Sequence, residues 1–272
     1  MRRSLKFLLR PTARQAVALT ACLDDHRALY NAALEHRRTA YAKAKAKAKA
    51  SIRYDVPAEP LPATGASVGI DLGVASLVTT SDGEHLANPR HLAACADRLA
   101  AAQRDLARKK RGSARRRKAV ARVAALHGTV RRQRLDGVHK AALALVGDYD
   151  VIVHEDLRIA NLTRSASGTL EAPGSNVAAK SGLNRSILDA GWGVFLTILS
   201  HKAESAGREL IAVNPANTSR TCTACGHVAK ENRPTQAEFH CRRCAHVAHA
   251  DVNAAKNILR AGLALRDVAQ AA

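Results

Sequence analysis

The chain has 272 residues, and its 43 Lys+Arg against 23 Asp+Glu give a formal net charge of +20. Such a length allows one or two domains, and a hydrophobic content of 47% is enough for a sizeable core. The charge excess would repel itself in a compact fold, so it predicts a polyanionic partner, with nucleic acid as the first candidate. An anionic membrane is the alternative. It is disfavoured because no basic stretch has an aromatic-rich amphipathic face and no segment is apolar enough to span a bilayer.

The N-terminal part, residues 1–50, reads as a strand at 4–10 followed by helices over 12–49. Its basic start faintly resembles a transit peptide, but the apolar residues alternate as in a strand and Pro11 ends them before a signal core could form. A Lys-Ala alternation over 42–50 has no apolar face, which predicts a solvated segment. Residues 51–67 contain three prolines and are interpreted as a linker.

The next segment has the pattern of a buried strand followed by a hairpin. Residues 68–70 are apolar and end at Asp71, and two short strands flank the turn Ser81-Asp82-Gly83. We therefore expect the first strand of a core that extends over residues 68–215.

A long helical region over 98–146 follows, with predicted breaks near Gly112 and Gly128. Between Arg98 and Arg134 it has fourteen Lys/Arg and one acid, Asp105. Solvated helices usually mix charges of both signs, so this one-sided run favours a phosphate-contact surface. The candidate nucleic-acid-binding residues are Arg108, Lys109, Lys110, Arg111, Arg115, Arg116, Arg117, Lys118 and Arg122.

The second half of the core alternates strands and helices. Strands are predicted at 151–153 and 209–213, a mobile loop at 163–184, an apolar helix at 187–205 capped by Gly207, and a final helix at 252–265. Trp192 is expected to pack in the core rather than to stack on bases, because its helix is otherwise apolar. The order predicts an α/β sheet with at least one crossover connection.

Four of the six cysteines have the spacing of a zinc site: two Cys-x-x-Cys pairs separated by fifteen residues. We expect a structural Zn²⁺ in a ribbon over 216–250, because a closed tetrathiolate has no open coordination position. Cys22 and Cys95 remain as isolated thiols, which indicates a reducing cytoplasm rather than a disulfide framework. The predicted ligands are Cys222, Cys225, Cys241 and Cys244, and the alternative ligands nearby are His227, His240, His246 and His249.

Acidic residues stand at the ends of two buried strands and at the start of the last helix. They are Asp71, the adjacent pair Glu155 and Asp156, and Asp251. Hard oxygen ligands from separate segments suit Mg²⁺ or Mn²⁺, and paired ions of this kind hydrolyse phosphodiesters. Each acid alone could be an ordinary turn or cap residue. The alternation of side chains along the preceding strand does not decide whether Glu155 or Asp156 points toward the metal.

Three segments resemble the transposon protein B (TnpB) family, which comprises RNA-guided nucleases encoded by insertion sequences and related to type V CRISPR effectors. They read GIDLGV at 69–74, VHEDL at 153–157, and TSRTC at 218–222 with DVNAA at 251–255. The resemblance extends over residues 65–262. It implies a mixed α/β, RNase H-like (RuvC) core with a basic helical insertion and a zinc-ribbon insertion. It also implies that Asp71, Glu155 and Asp251 are the catalytic carboxylates, with the last of them in a C-terminal segment 251–272.

The resemblance further implies partners and a location. The protein would bind a guide RNA from the transposon end and cleave DNA, with the basic helices along the guide–target duplex, and it would have no membrane partner and no small-molecule substrate. It would act in the cytoplasm at the nucleoid. The family's large N-terminal block of recognition helices and wedge strands is replaced here by the Lys-Ala run and the linker. The alternative hypothesis is a non-enzymatic nucleic-acid binder of the same family; a transposase that joins strands itself shares the carboxylate chemistry but has no distinguishing feature here.

Overall fold

The computed structural model describes residues 59–169 and 171–271 of the chain. The predicted N-terminal strand and helices, and the first part of the linker, lie outside these residues. The last part of the linker is fixed to the core. The carboxylate of Asp150 accepts hydrogen bonds from the backbone N–H groups of Thr64 and Gly65 at 2.7–2.9 Å, and the buried Arg208 donates to the carbonyl of Pro62 at 2.9 Å.

A five-stranded mixed sheet forms the centre, in the order β3-β2-β1-β4-β5. Strands β1, β4 and β5 are parallel, whereas β2 and β3 form the predicted antiparallel hairpin. The prediction of an α/β sheet with a crossover is confirmed. The strands are β1 Ser67–Asp71, β2 Ser76–Thr80, β3 His85–Ala87, β4 Val151–Glu155 and β5 Glu209–Val213.

Helices lie in the connections from β3 to β4 and from β4 to β5, and one further helix ends the described chain. A zinc-ribbon segment between β5 and the last helix contains a 3-10 turn, Lys230–Asn232, and a hairpin of β6 Glu238–His240 and β7 Val247–His249. The helices are α1 His91–Ala107, α2 Ala114–Asp148, α3 Ile159–Leu162, α4 Val177–Ala190, α5 Trp192–Ala206 and α6 Ala250–Ala271. No helix in this described part of the chain is long and apolar enough to cross a membrane.

Several predicted helix and loop bounds were wrong. The helical region predicted from residue 98 begins at His91, and the final helix, predicted at 252–265, extends over Ala250–Ala271. Helix α2 continues through Gly128, because one interior glycine costs a helix only about 1 kcal/mol and long flanking turns compensate for it. The predicted loop 163–184 is helical from Val177 onward, and the predicted helix 187–205 is divided at Gly191. That glycine has φ 74°, a left-handed conformation that ends α4 and begins α5.

The two faces of the sheet pack against different helices. On one face, Ile70 and Ile152 pack with Val138 of α2 and Phe195 of α5 in the main core. On the other face, the alternate residues of β4 pack against Ile258 of α6. Since successive side chains of a strand point to opposite faces, Gly69 and Asp71 of β1 and Glu155 of β4 belong to the α6 face.

Helix α6 lies directly on the sheet at two glycines. A Cβ at Gly69 would come within 2.1 Å of the carbonyl oxygen of Ala255, and a Cβ at Gly262 would come within 2.4 Å of a methyl carbon of Val153. Only glycine allows this approach. The contact fixes the first turn of α6, which carries Asp251, above the end of β1.

Candidate active site and metal centre

Asp71 and Glu155 lie side by side at the carboxyl ends of two neighbouring parallel strands. The register pairs Ile70 with His154, so the next residue of each strand, Asp71 and Glu155, follows at the same edge. Asp251 approaches from the first turn of α6. The edge of a sheet where parallel strands end is the usual place for a ligand in α/β folds.

The pKa of Asp71 shows that the other two carboxylates lie close enough to act on it. Burial raises this pKa from 3.8 to about 8, with further contributions in the same direction from the negative charges of Glu155 and Asp251. Arg233 acts in the opposite direction. The fold therefore places a buried carboxyl group between two other acids, an arrangement that a cation would stabilise.

Glu155 points into this cluster, whereas Asp156 does not. Burial raises the pKa of Glu155, and a hydrogen bond from the Thr218 hydroxyl to its Oε1, 2.5 Å long, lowers it. Asp156 is exposed and lines a neighbouring cleft of 670 Å³ with Arg158 and Asn214. This difference favours Glu155 over Asp156 as the acid of the site.

Arg233 is a member of the cluster that the sequence did not indicate. It comes from the zinc-ribbon segment, and its Nη2 lies 2.8 Å from Asp251 Oδ1 and 2.7 Å from the carbonyl oxygen of Gln236. Its charge also lowers the pKa of both Asp71 and Glu155. One guanidinium group thus acts on all three carboxylates.

The donor set fits a hard divalent cation. Three carboxylates from three separate elements offer the oxygen ligands that Mg²⁺ and Mn²⁺ prefer. The pKa of Asp71 is raised mainly by burial and further by Glu155 and Asp251, so a bound cation would favour its ionised form. The carboxylates are arranged more loosely than the cysteines. Among the described residues, the group of potential ligands whose donor atoms lie together, within 4.8 Å of one another, is the cysteine set.

Two turns of similar geometry bring the four cysteines together. In each, the N–H of the first cysteine donates to a carbonyl five residues on, at 2.9 Å, and its own carbonyl accepts from the residue after the second cysteine. That residue, Gly226 in one turn and Ala245 in the other, is left-handed, with φ 72° and 57°. The cluster consists of Cys222, Cys225, Cys241 and Cys244, so the predicted four-cysteine set comes together and the four alternative histidines are not part of it.

The sulfur positions fit a tetrahedral zinc ion. Two sulfur pairs, Cys222–Cys244 and Cys225–Cys241, are 3.7 and 3.6 Å apart. A tetrahedron with Zn–S bonds of about 2.3 Å has edges of about 3.8 Å. Although burial opposes ionisation of Cys241, backbone N–H groups of Cys244 and Arg243 directed at its sulfur lower its pKa to about 6, which favours the thiolate that binds metal.

The basic surface lies on the hairpin formed by α1, its connection and the first half of α2. Two of the nine predicted nucleic-acid-binding residues have partners within the chain: Lys109 pairs with Asp105 at 2.8 Å, and Arg116 donates to the carbonyls of Leu106 and Lys109 at the end of α1. The other seven are exposed: Arg108, Lys110, Arg111, Arg115, Arg117, Lys118 and Arg122.

Two residues of the core hold neighbouring segments in place. Asp189 holds the hairpin of α1 and α2, and Trp192 holds the residues that follow Asp71. The buried carboxylate of Asp189 accepts from the N–H groups of Leu92 and Ala93 at the start of α1 and pairs with Arg134 of α2 at 2.7 Å. Trp192 packs in the core, as expected, and its indole N–H donates to the carbonyl of Gly73 at 3.2 Å.

Family models match most of the chain. A model described as a probable transposase, of the IS605 OrfB type, matches residues 51–166, and the helix-turn-helix model of the same type matches residues 1–46. A third, the Cas12f1-like TNB domain, matches residues 192–258, which contain the cysteine cluster. The two IS605 OrfB models together match more than half of the chain.

Two curated bacterial proteins are similar to this chain over about three quarters of its length. The chain is 43% identical over 206 residues to the putative RNA-guided DNA endonuclease InsQ of Escherichia coli K12, covering 76% of this chain and 51% of that protein. It is 40% identical to a putative RNA-guided DNA endonuclease of Streptomyces pristinaespiralis, covering 75% and 47%. The chain thus spans about half the length of the curated relatives it matches.

A cryo-EM structure of a Cas12f1-sgRNA-target DNA complex has a TM-score of 0.51 at 20% identity, covering 76% of this chain and 52% of that one, and so shares its fold. This likeness confirms the expected RuvC-type α/β fold. The two IS605 OrfB models, over residues 1–46 and 51–166, and the relatives at 43% and 40% identity show that the chain belongs to the insertion-sequence TnpB family, whose curated relatives are putative RNA-guided DNA endonucleases.

Proposed function

We propose that the chain is a divalent-metal-dependent, RNA-guided DNA endonuclease. The observation that carries the proposal is the convergence of Asp71, Glu155 and Asp251, in which the two other acids help to raise the pKa of Asp71 to about 8. Carboxylates so arranged would hold Mg²⁺ or Mn²⁺. When bound, the ions supply Lewis-acid stabilisation of the charge that develops in phosphodiester hydrolysis.

The remaining groups bind and orient the nucleic acid. The guanidinium of Arg233 lies among the carboxylates and would attract the scissile phosphate, whose charge it partly neutralises. The open cleft of 670 Å³ next to Glu155, with Arg158, Asn161 and Asn214 in its wall, gives room for the strand that leads to this phosphate. The exposed cations of α1 and α2 would hold a guide–target duplex through its backbone.

The cysteine cluster would bind a structural zinc ion. Four thiolates complete a tetrahedron and leave no position for a substrate, so its role is to fold the segment that supplies Arg233. The ligands would be Cys222, Cys225, Cys241 and Cys244.

Cleavage of a matched target tests the proposal. The zinc-loaded chain, purified with RNA transcribed from its flanking element, should cleave a DNA that carries the guide complement when Mg²⁺ is added. Glu155→Gln should lose this activity by at least ~100-fold, because it removes a metal-binding charge, whereas Asp156→Asn should keep it. If the wild-type chain binds guide and target but cleaves no more than Glu155→Gln, the chain is a non-enzymatic nucleic-acid binder.

A further inference from the structure

One hydrogen bond joins the zinc-ribbon segment to the carboxylate cluster. Thr218 is buried, and its hydroxyl lies 2.5 Å from Oε1 of Glu155 and 3.1 Å from the carbonyl oxygen of Pro215. A hydroxyl has one proton to donate, and the shorter contact with a charged acceptor is the stronger one. This bond occupies Oε1 and leaves Oε2 of Glu155 for a cation.

Thr218 is itself held from helix α6. The side-chain amide of Asn257 donates to the carbonyl of Thr218 at 2.9 Å and to that of Thr221 at 2.7 Å. One helical turn earlier, Asn253 donates to the same Thr221 carbonyl at 2.8 Å and accepts from the N–H and hydroxyl of Thr223. Both asparagines are buried.

The same helix carries Asp251. Its first two turns contain Asp251 and, two and six residues later, Asn253 and Asn257. These two asparagines hold the segment 218–223 through their hydrogen bonds. Two hydrogen bonds, from Asn257 to Thr218 and from Thr218 to Glu155, therefore connect Glu155 to α6, the helix that carries Asp251. Helix α6 also contacts the sheet directly at Gly69. Cys222, a predicted zinc ligand, lies inside the clamped segment.

We propose that Thr218 is a positioning residue for the divalent cation: its hydroxyl fixes the Glu155 carboxylate in the orientation that binds the ion, and Asn257 holds Thr218 in place. The proposal rests on the proposed function, because it assumes that Glu155 is a metal ligand. Groups that orient metal ligands in this way typically change metal affinity by about 10–100-fold.

Binding of Mn²⁺ alone, measured by calorimetry on the zinc-loaded full chain, provides a readout that does not depend on cleavage. Thr218→Val, which keeps the shape and removes the hydroxyl, should weaken Mn²⁺ binding about tenfold. Thr218→Ser should restore it to within about threefold of the wild type, because the serine hydroxyl can donate the same bond. Zinc content and melting temperature, measured on each variant, report whether the ribbon is folded.

A matched control lies three residues away. The hydroxyl of Thr221 donates to the carbonyl of Asn217 at 2.8 Å and, among the described residues, makes no hydrogen bond to a carboxylate, so Thr221→Val should leave Mn²⁺ affinity unchanged. If Thr218→Val fails to fold, Thr218→Ala compared with Thr218→Ser isolates the same hydroxyl. Equal Mn²⁺ affinity in variants with and without the hydroxyl would overturn the proposal.

The proposed function is tested separately in the same experiment. Asp71→Asn should abolish the Mn²⁺ binding of the wild-type chain. If Asp71→Asn binds Mn²⁺ as the wild type does, the carboxylate cluster is not the metal site, and the role of Thr218 falls with it. If Asp71→Asn loses binding and Thr218→Val does not, only the inference about Thr218 is wrong.

Discussion

Asp71 lies in a buried position that disfavours the charged form of its carboxyl group. Its position at the end of β1 buries the carboxyl group next to Glu155 and below Asp251, and these effects raise its pKa to about 8. An acid in such a place keeps its proton near neutral pH unless a cation replaces it. The free energy of unfolding should therefore depend on pH and on the concentration of the metal ion.

This coupling predicts how stability depends on pH. The folded-state pKa of Asp71 is raised from 3.8 to about 8, so between these values the folded chain holds a proton that the unfolded chain releases. The contribution of Asp71 to stability is present below about pH 4 and is lost as pH rises to about 8. Asp71→Asn has no such loss. It should exceed the wild type in unfolding free energy by on the order of 5 kcal/mol at pH 8 and match it near pH 4.

Urea unfolding of zinc-loaded protein without Mg²⁺, repeated across this pH range, measures the difference. Added Mg²⁺ should reduce it at pH 8 by stabilising the wild type. A difference between the two proteins that does not change with pH would contradict the environment described for Asp71.

The sequence predicted some residues of the site and missed others for a physical reason. Asp71 and the pair Glu155 and Asp156 follow apolar runs, and Asp251 begins a helix, so the pattern marked these acids as candidates. The choice of Glu155 over Asp156 came only from the family resemblance. Arg233 and Thr218 lie in an irregular segment, and their contacts with the carboxylates depend on how the ribbon folds back on α6. The i, i+4 spacing of Asn253 and Asn257 on one helix face was the available signal for the clamp.

At the scale of elements, helix α6 positions the site through its contact with β1. Replacing Gly69 by alanine would place a Cβ 2.1 Å from the carbonyl oxygen of Ala255 and 2.6 Å from the backbone nitrogen of Leu259. Backbone atoms cannot turn aside, so the helix must shift. We expect Gly69→Ala to lower the unfolding free energy by about 3 kcal/mol and to weaken Mn²⁺ binding by moving Asp251.

Gly137 is the matched control for that substitution. It lies within α2, and a Cβ there would meet no atom within 4 Å. Gly137→Ala should raise the unfolding free energy by about 0.5–1 kcal/mol, because alanine favours helix. If both substitutions changed stability in the same direction and by the same amount, the close packing of α6 on β1 would be wrong.

The hairpin of α1 and α2 depends on Asp189 in a similar way. Asp189→Ala removes the cap of α1 and leaves Arg134 without its partner, so it should lower the unfolding free energy by about 2–3 kcal/mol. Asp136, whose pair with Lys140 is exposed, is the comparison; Asp136→Ala should change stability by less than about 0.5 kcal/mol. Thermal or denaturant unfolding of both variants measures the two changes in stability. An effect of Asp189→Ala as small as that of Asp136→Ala would show that Asp189 does not hold α1 and α2 together.

Element predictions succeeded where hydrophobic patterns were strong. The five strands of the sheet followed from short apolar runs bounded by turn residues. The helix break near Gly112 and the helix end at Gly207 were predicted correctly, whereas Gly128 and Gly191 did not behave as predicted. Gly128 and Gly191 look alike in the sequence, yet the first continues a helix and the second ends one. The difference comes from tertiary packing, because Gly191 lies where α4 and α5 both meet the core.

For the whole molecule, a large part of the positive charge lies in residues 98–134, which have fourteen Lys/Arg and one acid and include the seven exposed candidate cations of the hairpin. Removing one cation that neutralises a phosphate should reduce the slope of log affinity against log salt by about 0.9 for B-form DNA. Replacing Arg115, Arg117, Lys118 and Arg122 by glutamine should therefore flatten the slope by about 2–4. Arg116→Gln should mainly destabilise the end of α1. An unchanged slope in the fourfold variant would place the nucleic acid elsewhere.

The central claim is that folding brings Asp71, Glu155 and Asp251 together around a divalent cation. Crystals of the zinc-loaded chain soaked in MnCl₂ test it most directly, through anomalous diffraction at the manganese and zinc edges. We predict a manganese peak among the three carboxylates and a zinc peak among the four cysteines. A manganese peak bound elsewhere, or none at the carboxylates at millimolar Mn²⁺, would contradict the claim.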